Sequence, residues 1–197
     1  MSPRHYRMQR RADSALDTKR RIVEATHQLH LDKGVGATTF RDIASRADVG
    51  IGTVYHHFPT YDDVVAACGE FTMALVQPPT AQIFHGITDP GDRIRTLVSE
   101  LFAFHKRTPW MERIRSERSQ FAALERSMTQ GEEHRRELVA AALKPLRVGK
   151  RTFALVVAIL NFAVYHQLID AGLSHTAAVD ETAQLLERRL LDARSKK

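Results

Sequence analysis

Thr53, Tyr55, His56 and His57 form a run of hydrogen-bonding side chains on one side of a short segment. The other side is apolar, with Val54 and Phe58 one helical turn apart. Hydroxyl and ring N–H groups in that arrangement suit a surface rich in acceptors, such as phosphate oxygens and base edges. They do not suit a metal, because the adjacent His56 and His57 point in different directions on a helix. The chain offers no catalytic pattern either: it has no Gly-x-Ser-x-Gly, no His/Cys set with metal spacing and no glycine-rich phosphate loop. His27 and His30, three apart, fall short of the four ligands that a structural zinc normally takes. His166 and Asp170, at i and i+4, read as a helix-surface pair rather than an acid–base couple. The sequence therefore predicts no enzyme activity, no metal and no cofactor.

Two short elements must hold the donor face. Thr39 and Asp42 have the spacing of a capping box, in which the hydroxyl accepts from a backbone N–H and the acid reaches back. Phe40, Ile43, Ala44 and Ala47 then make one apolar helical stripe. The stripe stops at Asp48, Val49 and Gly50 turn the chain, and a second helix runs from about Ile51 to Phe58. Two such helices with a tight turn make a helix-turn-helix, whose second helix lies in the major groove while the first crosses the phosphate backbone. Upstream, a helix from about Asp17 or Thr18 to Lys33 puts Ile22, Ala25, Thr26, Leu29 and His30 on one face, and Gly34 ends it. His30 is expected in the core or at its rim with a hydrogen-bond partner, and His27 exposed.

This stretch resembles the tetracycline-repressor (TetR) family of bacterial regulators. The resemblance is carried by Gly34, Thr38–Thr39, Arg41–Asp42–Ile43–Ala44, Ala47, Val49, Gly52–Thr53–Val54–Tyr55 and His57–Phe58–Pro59, and covers roughly Thr18 to Ala67. It implies an all-α protein: an N-terminal three-helix DNA-binding head with a helix-turn-helix, and a C-terminal helical ligand-binding and dimerisation body. It also implies roles. Thr39 and nearby N–H groups would meet a phosphate, as helix N-termini do. Arg41 matches a position that can reach guanine, for which a bidentate contact to O6 and N7 is the natural chemistry. Gly50, Ile51, Gly52 and Thr53 would face the groove floor, Tyr55 and His57 match phosphate-contacting positions, and His56 meets backbone or base. Tyr61 replaces the family's phosphate-binding Lys and is expected to donate one uncharged hydrogen bond. Asp48 replaces a common Gly, Gly50 a common Ser or Thr, and His30 a large aromatic.

Composition agrees with a folded soluble chain: 43% hydrophobic and 26% charged residues, with a formal charge of +6 that suits a polyanionic partner. The single Cys68 excludes an internal disulfide and fits a cytoplasmic location. Residues 1–21 hold seven cations against Asp13 and Asp17, so 1–16 is read as a basic, flexible arm able to touch phosphates or the minor groove. No apolar signal core follows that arm, and the longest apolar stretch, Phe153 to Val164, is too short for a membrane span. The DNA-binding head is assigned to 17–60 and the ligand-binding and dimerisation body to 61–197.

Beyond the head, Thr60 and Asp63 repeat the capping-box spacing, and a helix runs to about Gln77 before Pro78–Pro79. Asp89-Pro90 opens the next long helix. Another starts at Trp110, a bend is expected over Ser127 to Glu133, and two long helices, Lys150 to Ala171 and His175 to Arg194, close the chain. Arg113, Arg115 and Arg118 with Glu112 and Glu117 read as a solvated, charge-laced face. The last two helices are expected to form a homodimer. Candidate contacts for a small-molecule effector are Phe71, Leu75, Phe102, His105, Trp110, Arg113, Phe121, Asn161 and Tyr165. The partners implied are a double-stranded DNA operator, that effector and a second copy, with no membrane. The competing reading is a helical protein–protein module whose head no longer binds DNA, suggested by Asp48 and Tyr61.

Overall fold

The computed structural model describes residues 3–191, and side chains from residue 13 onward. Every regular element among the described residues is helical. These α-helices are α1 (Pro3–Lys33), α2 (Phe40–Ala47), α3 (Ile51–His57), α4 (Tyr61–Val76), α5 (Pro90–Arg107), α6 (Met111–Ser116), α7 (Ala122–Leu143), α8 (Lys150–Ile159), α9 (Phe162–Asp170) and α10 (His175–Leu191). Short 3-10 turns occupy Ala81–Phe84, Arg118–Gln120 and Lys144–Leu146. Two compact units result: Met1–Leu75 with Arg113–Met128, and Val76–Glu112 with Thr129–Lys197. The division differs from an expected boundary after residue 60, because most of α4 and a distant segment both compact with the first unit.

In the first unit the apolar stripe of α1 packs on α2 and α3. Ile22, Val23, Ala25 and Leu29 bury against Ile43, Ala44, Ala47, Val54, Phe58 and Val64. The stripe residues of α1 and α2 are those that the helical spacing marks. Thr39 caps α2 in a complete capping box, and Thr60 and Asp63 make the same reciprocal bonds at α4. Gly34 takes a φ of +91° just past α1, the left-handed geometry a helix C-terminus favours.

α1 begins at Pro3 rather than near Asp17. Proline suits a first helical position, and the residues that follow, rich in Arg, Met, Gln, Ala and Leu, are good helix formers. The basic arm is thus helical backbone from residue 3, while its side chains up to residue 12 and residues 1–2 lie outside the described set.

The second unit buries Phe84, Ile94, Leu97, Val98, Leu101, Phe102, Leu138, Val139, Leu160 and Leu186 in one core. Asp89 caps α5 with Pro90 behind it, and Ser174 caps α10. The bend expected over Ser127 to Glu133 is absent: α7 runs straight through. A single exposed Gly131 costs only ~1 kcal/mol in a helix, and buried Leu124, Met128, Leu138 and Val139 anchor the helix on both sides. Conversely, the single helix expected from Lys150 to Ala171 is two, α8 and α9, bent by 51°. Asn161 causes the break by capping α9, its Oδ1 accepting from Val164 N at 3.0 Å. Among the described residues no single helix is long and apolar enough to cross a membrane.

Arg93 pins this unit from within. Its guanidinium donates to the carbonyls of Phe84, Ile87, Ala141 and Ala142, at 2.7–3.3 Å, and lies 4.7 Å from the Phe84 ring centroid. Ala141 and Ala142 lie in the last turn of α7, whose carbonyls have no intrahelical partner. Arg93→Met should lower stability by about 2–3 kcal/mol, since charge-assisted bonds are removed and carbonyls are left unpaired. Arg93→Lys should recover little of it, because an ammonium cannot fork. Urea unfolding checks both.

Candidate nucleic-acid interface

The turn between α2 and α3 is where the local sequence is most unusual. Asp48 sits at φ 52°, ψ 54°, a left-handed conformation that Asp tolerates better than most residues. Asp48 N donates to Ser45 O and Val49 N to Ala44 O, closing the end of α2. Arg21 on α1 reaches across and donates to the carbonyls of Ala47 and Asp48. The turn therefore keeps its geometry without glycine, supported by a cation at the negative end of a short helix. Gly50 opens α3 with no side-chain cap.

α3 buries Val54, and Phe58 just beyond it, and turns Ile51, Gly52, Tyr55 and His56 outward, with Thr53 and His57 half-buried. Ile51 is 45% and Tyr55 51% exposed, so a large apolar and a large aromatic side chain stand in solvent on the same short helix. The Tyr55 ring is braced edge-on against Phe40, 4.7 Å between centroids, which leaves its hydroxyl outward. His57 is depressed by partial burial and by the neighbouring His56 and Lys19, so it is a neutral donor near pH 7. Arg41 is exposed on α2 and has no carboxylate within salt-bridge distance among the described residues.

Thr39, Arg41, Gly50, Ile51, Gly52, Thr53, Tyr55, His56 and His57 thus share one helix-turn-helix. Two expectations need correction. Tyr61 is no phosphate donor: its hydroxyl donates to Val35 O at 2.7 Å, and its ring is half-buried against Phe40 and Phe121. Thr39 is less available than its position implies. Its hydroxyl and backbone N–H both donate to Asp42 Oδ2, at 2.6 and 2.8 Å, and Lys33 adds a third bond to that oxygen at 2.7 Å. These bonds hold the Asp42 carboxyl well below the usual carboxylate range.

A polar network that the spacing did not reveal fills the core between α1 and α4. Because the Tyr61 proton goes to Val35 O, His30 Nε2–H must donate to Tyr61 Oη, 3.2 Å away. His30 Nδ1 then accepts from the Cys68 thiol at 3.5 Å. Thr72 donates to Cys68 O, which leaves its oxygen to accept from His27 Nδ1 at 2.9 Å. His27 is therefore half-buried and bonded, not exposed as expected. Burial pushes the Cys68 thiol up to about 12, so it is an inert core residue. Among the described residues no group of three or more His, Cys, Asp or Glu could hold a metal.

The effector residues anticipated from sequence do not form one set. Phe71, Arg113 and Phe121 belong to the first unit, and Phe102, His105, Trp110, Asn161 and Tyr165 to the second. Phe71 packs on His27 and Phe121 on Tyr61. Arg113 is exposed, as the solvated face implied, but its guanidinium is engaged, donating to the carbonyls of His30, Leu31 and Asp32. Asn161 is taken up as the cap of α9. In the second unit Phe102 and Tyr165 lie 5.0 Å apart, His105 packs on Phe162, and Tyr165 Oη meets His175 Nδ1 at 3.1 Å.

The first unit has the build of a helix-turn-helix DNA-binding head. Residues 22–68 match the family of bacterial regulatory proteins named tetR. An HTH-type transcriptional repressor of Mycobacterium tuberculosis is 44% identical over 46 residues, 23% of this chain. That alignment spans only 24% of the relative's own length. A transcriptional regulator from a Rhodococcus species has the same fold, with a TM-score of 0.67 and 19% identity over 86% of this chain and 96% of its own. The multidrug binding protein EbrR, solved with imidazole bound, superposes with a TM-score of 0.63 and 22% identity over 88% of this chain and 90% of its own.

Burial depresses His30 from 6.5 to about 4, with the charge of nearby His27 a lesser cause. The unfolded chain therefore binds this proton first. Stability is complete above about pH 6.5 and should fall by up to ~1.4 kcal/mol per pH unit between there and pH 4. His30→Phe should flatten that part of the acid limb. Urea midpoints at pH 7, 5.5 and 4.5 for both proteins check it.

Proposed function

We propose that the chain is a ligand-responsive transcriptional repressor that binds a palindromic DNA operator as a homodimer. The observation that carries this reading is the solvent-facing α3, with Ile51, Tyr55 and His56 outward on a helix too short to need that face for its own packing. A short recognition helix with apolar, hydroxyl and imidazole groups can read base edges in the major groove, while phosphate contacts fix its register. Ile51 supplies apolar contact, for instance to a thymine methyl, and Arg41 forks onto a guanine. Tyr55 and His57 donate to phosphates. The curated relative is itself named a transcriptional repressor, which supports regulation over enzyme activity. Such a protein acts in the cytoplasm, where bacterial DNA lies.

Dimerisation through the last helices is supported by Leu155 on α8 and Leu185 on α10, 44% and 57% exposed, with Ala154 and Ala158 beside the former. Large exposed aliphatics beside small residues allow close helix packing. The effector is a small molecule bound by the helical body, with Phe102, His105, Trp110 and Tyr165 as the remaining candidate contacts. A protein of the same fold, the multidrug binding protein EbrR, was solved with a small molecule, imidazole, which is in keeping with an effector of that size. A ligand that prefers one spacing of the two heads shifts operator affinity by its differential affinity for the two states.

Selection of bound duplexes from a random DNA library tests the reading. An enriched palindrome with half-sites one helical turn apart, ~34–36 Å, is expected. No enrichment by a folded dimer would leave the DNA-inactive module as the better account. On the selected duplex, Arg41→Ala should cost about 1–3 kcal/mol and relax specificity at one base pair, whereas His57→Ala should weaken all sequences alike. Leu155→Asp combined with Leu185→Asp should give a folded monomer by sedimentation that no longer binds the palindrome.

A further inference from the structure

Residues Arg113–Met128 are far from the head in sequence and flanked on both sides by the second unit, yet they compact with the first. Besides the packing of Phe121 on Tyr61, two of their side chains bind backbone of the head. The Arg113 guanidinium donates to the carbonyls of His30, Leu31 and Asp32, in the last turn of α1. That is the end of a helix where carbonyls lack partners and the macrodipole is negative. The Glu117 carboxylate accepts from the next free backbone donors, Val35 N at 2.7 Å and Gly36 N at 3.2 Å. Acid and base are thus each matched to the polarity of the backbone they meet.

The fit between them is close. A Cβ on Gly34 would lie 2.6 Å from Glu117 Oε1, and its φ of +91° already favours glycine. The turn is also held from inside, since Thr38 Oγ1 donates to Gly34 O and Tyr61 Oη to Val35 O. Glu117 is the only one of these holds that comes from outside residues 34–61. The held turn leads directly into Thr39 and the capping box of α2.

We propose that Glu117 is a positioning residue for operator reading: it fixes the α1–α2 turn and through it the N-terminal end of α2. The inference rests on the DNA-reading function proposed above. The chain passes between the units at three places, Leu75/Val76, Glu112/Arg113 and Met128/Thr129. The last two bracket the clasp.

The test compares wild type, Glu117→Ala and Glu117→Gln as full-length proteins. Backbone amide exchange and affinity are measured for the duplex selected from the random library and for a random-sequence duplex. In Glu117→Ala, exchange at Val35 and Gly36 should rise at least about tenfold, while Ile22 to Leu29 in the head core stay protected. Affinity for the selected duplex should fall about tenfold, with binding to the random duplex unchanged, and Glu117→Gln should lie between. A merely structural role would loosen core amides and weaken both duplexes together. Equal affinity of Glu117→Ala and wild type for the selected duplex, with Val35 and Gly36 exposed to exchange, overturns the proposal alone. A wild type that enriches no duplex overturns the DNA-reading function and the proposal with it. Should Glu117→Ala fail to fold, Glu117→Gln decides by the same criteria.

Discussion

A seven-residue helix cannot stand alone in water, because nucleation consumes most of the hydrogen bonds it can make. α3 exists because Val54 and Phe58 are buried against α1 and α2, in a core with Ile22, Leu29, Ile43 and Ala47. Each fully buried aliphatic contributes roughly 1.5–3 kcal/mol, which exceeds what any cap at Gly50 could add. This is why the missing hydroxyl at Gly50 is tolerated. The apolar stripe of α1 also fixes where its polar side falls. Arg21, on that same helix, is brought over the α2–α3 turn and satisfies two of its carbonyls. Anchoring and turn geometry thus come from one element, and the outward face of α3 is left free of structural duties.

Replacing the family's aromatic with His30 and its lysine with Tyr61 makes sense only when the two are considered together. Tyr61 gives its proton to Val35 O and needs a donor in return, which His30 Nε2–H supplies. Cys68 supplies the donor that His30 Nδ1 needs. The network is satisfied only with a neutral imidazole, because a second ring proton would meet the thiol donor head-on. A lysine at 61 would place a charge where the tyrosine ring now packs on Phe40 and Phe121. The two departures are therefore one structural unit. Position 61 gives up a phosphate donor, and in exchange a polar core holds α1, α4 and the α1–α2 turn together.

Most of the head was legible in the sequence because its signals are local. Helical spacing marks Phe40, Ile43, Ala44 and Ala47, reciprocal capping marks Thr39 and Asp42, and a breaker marks Gly34. Asp48 was legible as a residue able to bear left-handed geometry. The misses share one cause, which is that partners remote in sequence decide them. Arg113 and Glu117 alternate with other charges and so look solvated, and only the fold shows that their partners are backbone groups of residues 30–36. Tyr61 looks like a surface donor until Val35 O is placed opposite it. Asn161 is the reverse case: a local signal, an Asn able to cap, was hidden by the apolar run on either side. The expected bend at Gly131 overrated one residue against the long packed helix around it.

If the head reads DNA as proposed, its electrostatics separate reading from holding. At the N-terminus of α2, where an external anion would be attracted, Asp42 already supplies one and collects Thr39 and Lys33 around it. Arg46 is paired with Asp32 in the same way. Two of the cations at α2, Lys33 and Arg46, are thus paired with the protein's own carboxylates, whereas among the described residues Arg41 and Arg21 are not. An operator phosphate arriving at Thr39 would have to displace an existing hydrogen bond and would gain little net energy there. On that proposed function, discrimination would fall to Arg41 and the outward face of α3. Long-range attraction would draw on the excess of cations in the first 21 residues of the sequence. Because the backbone of α1 runs unbroken from Pro3 to Lys33, the segment that carries those cations in sequence is continuous with the element that positions α3.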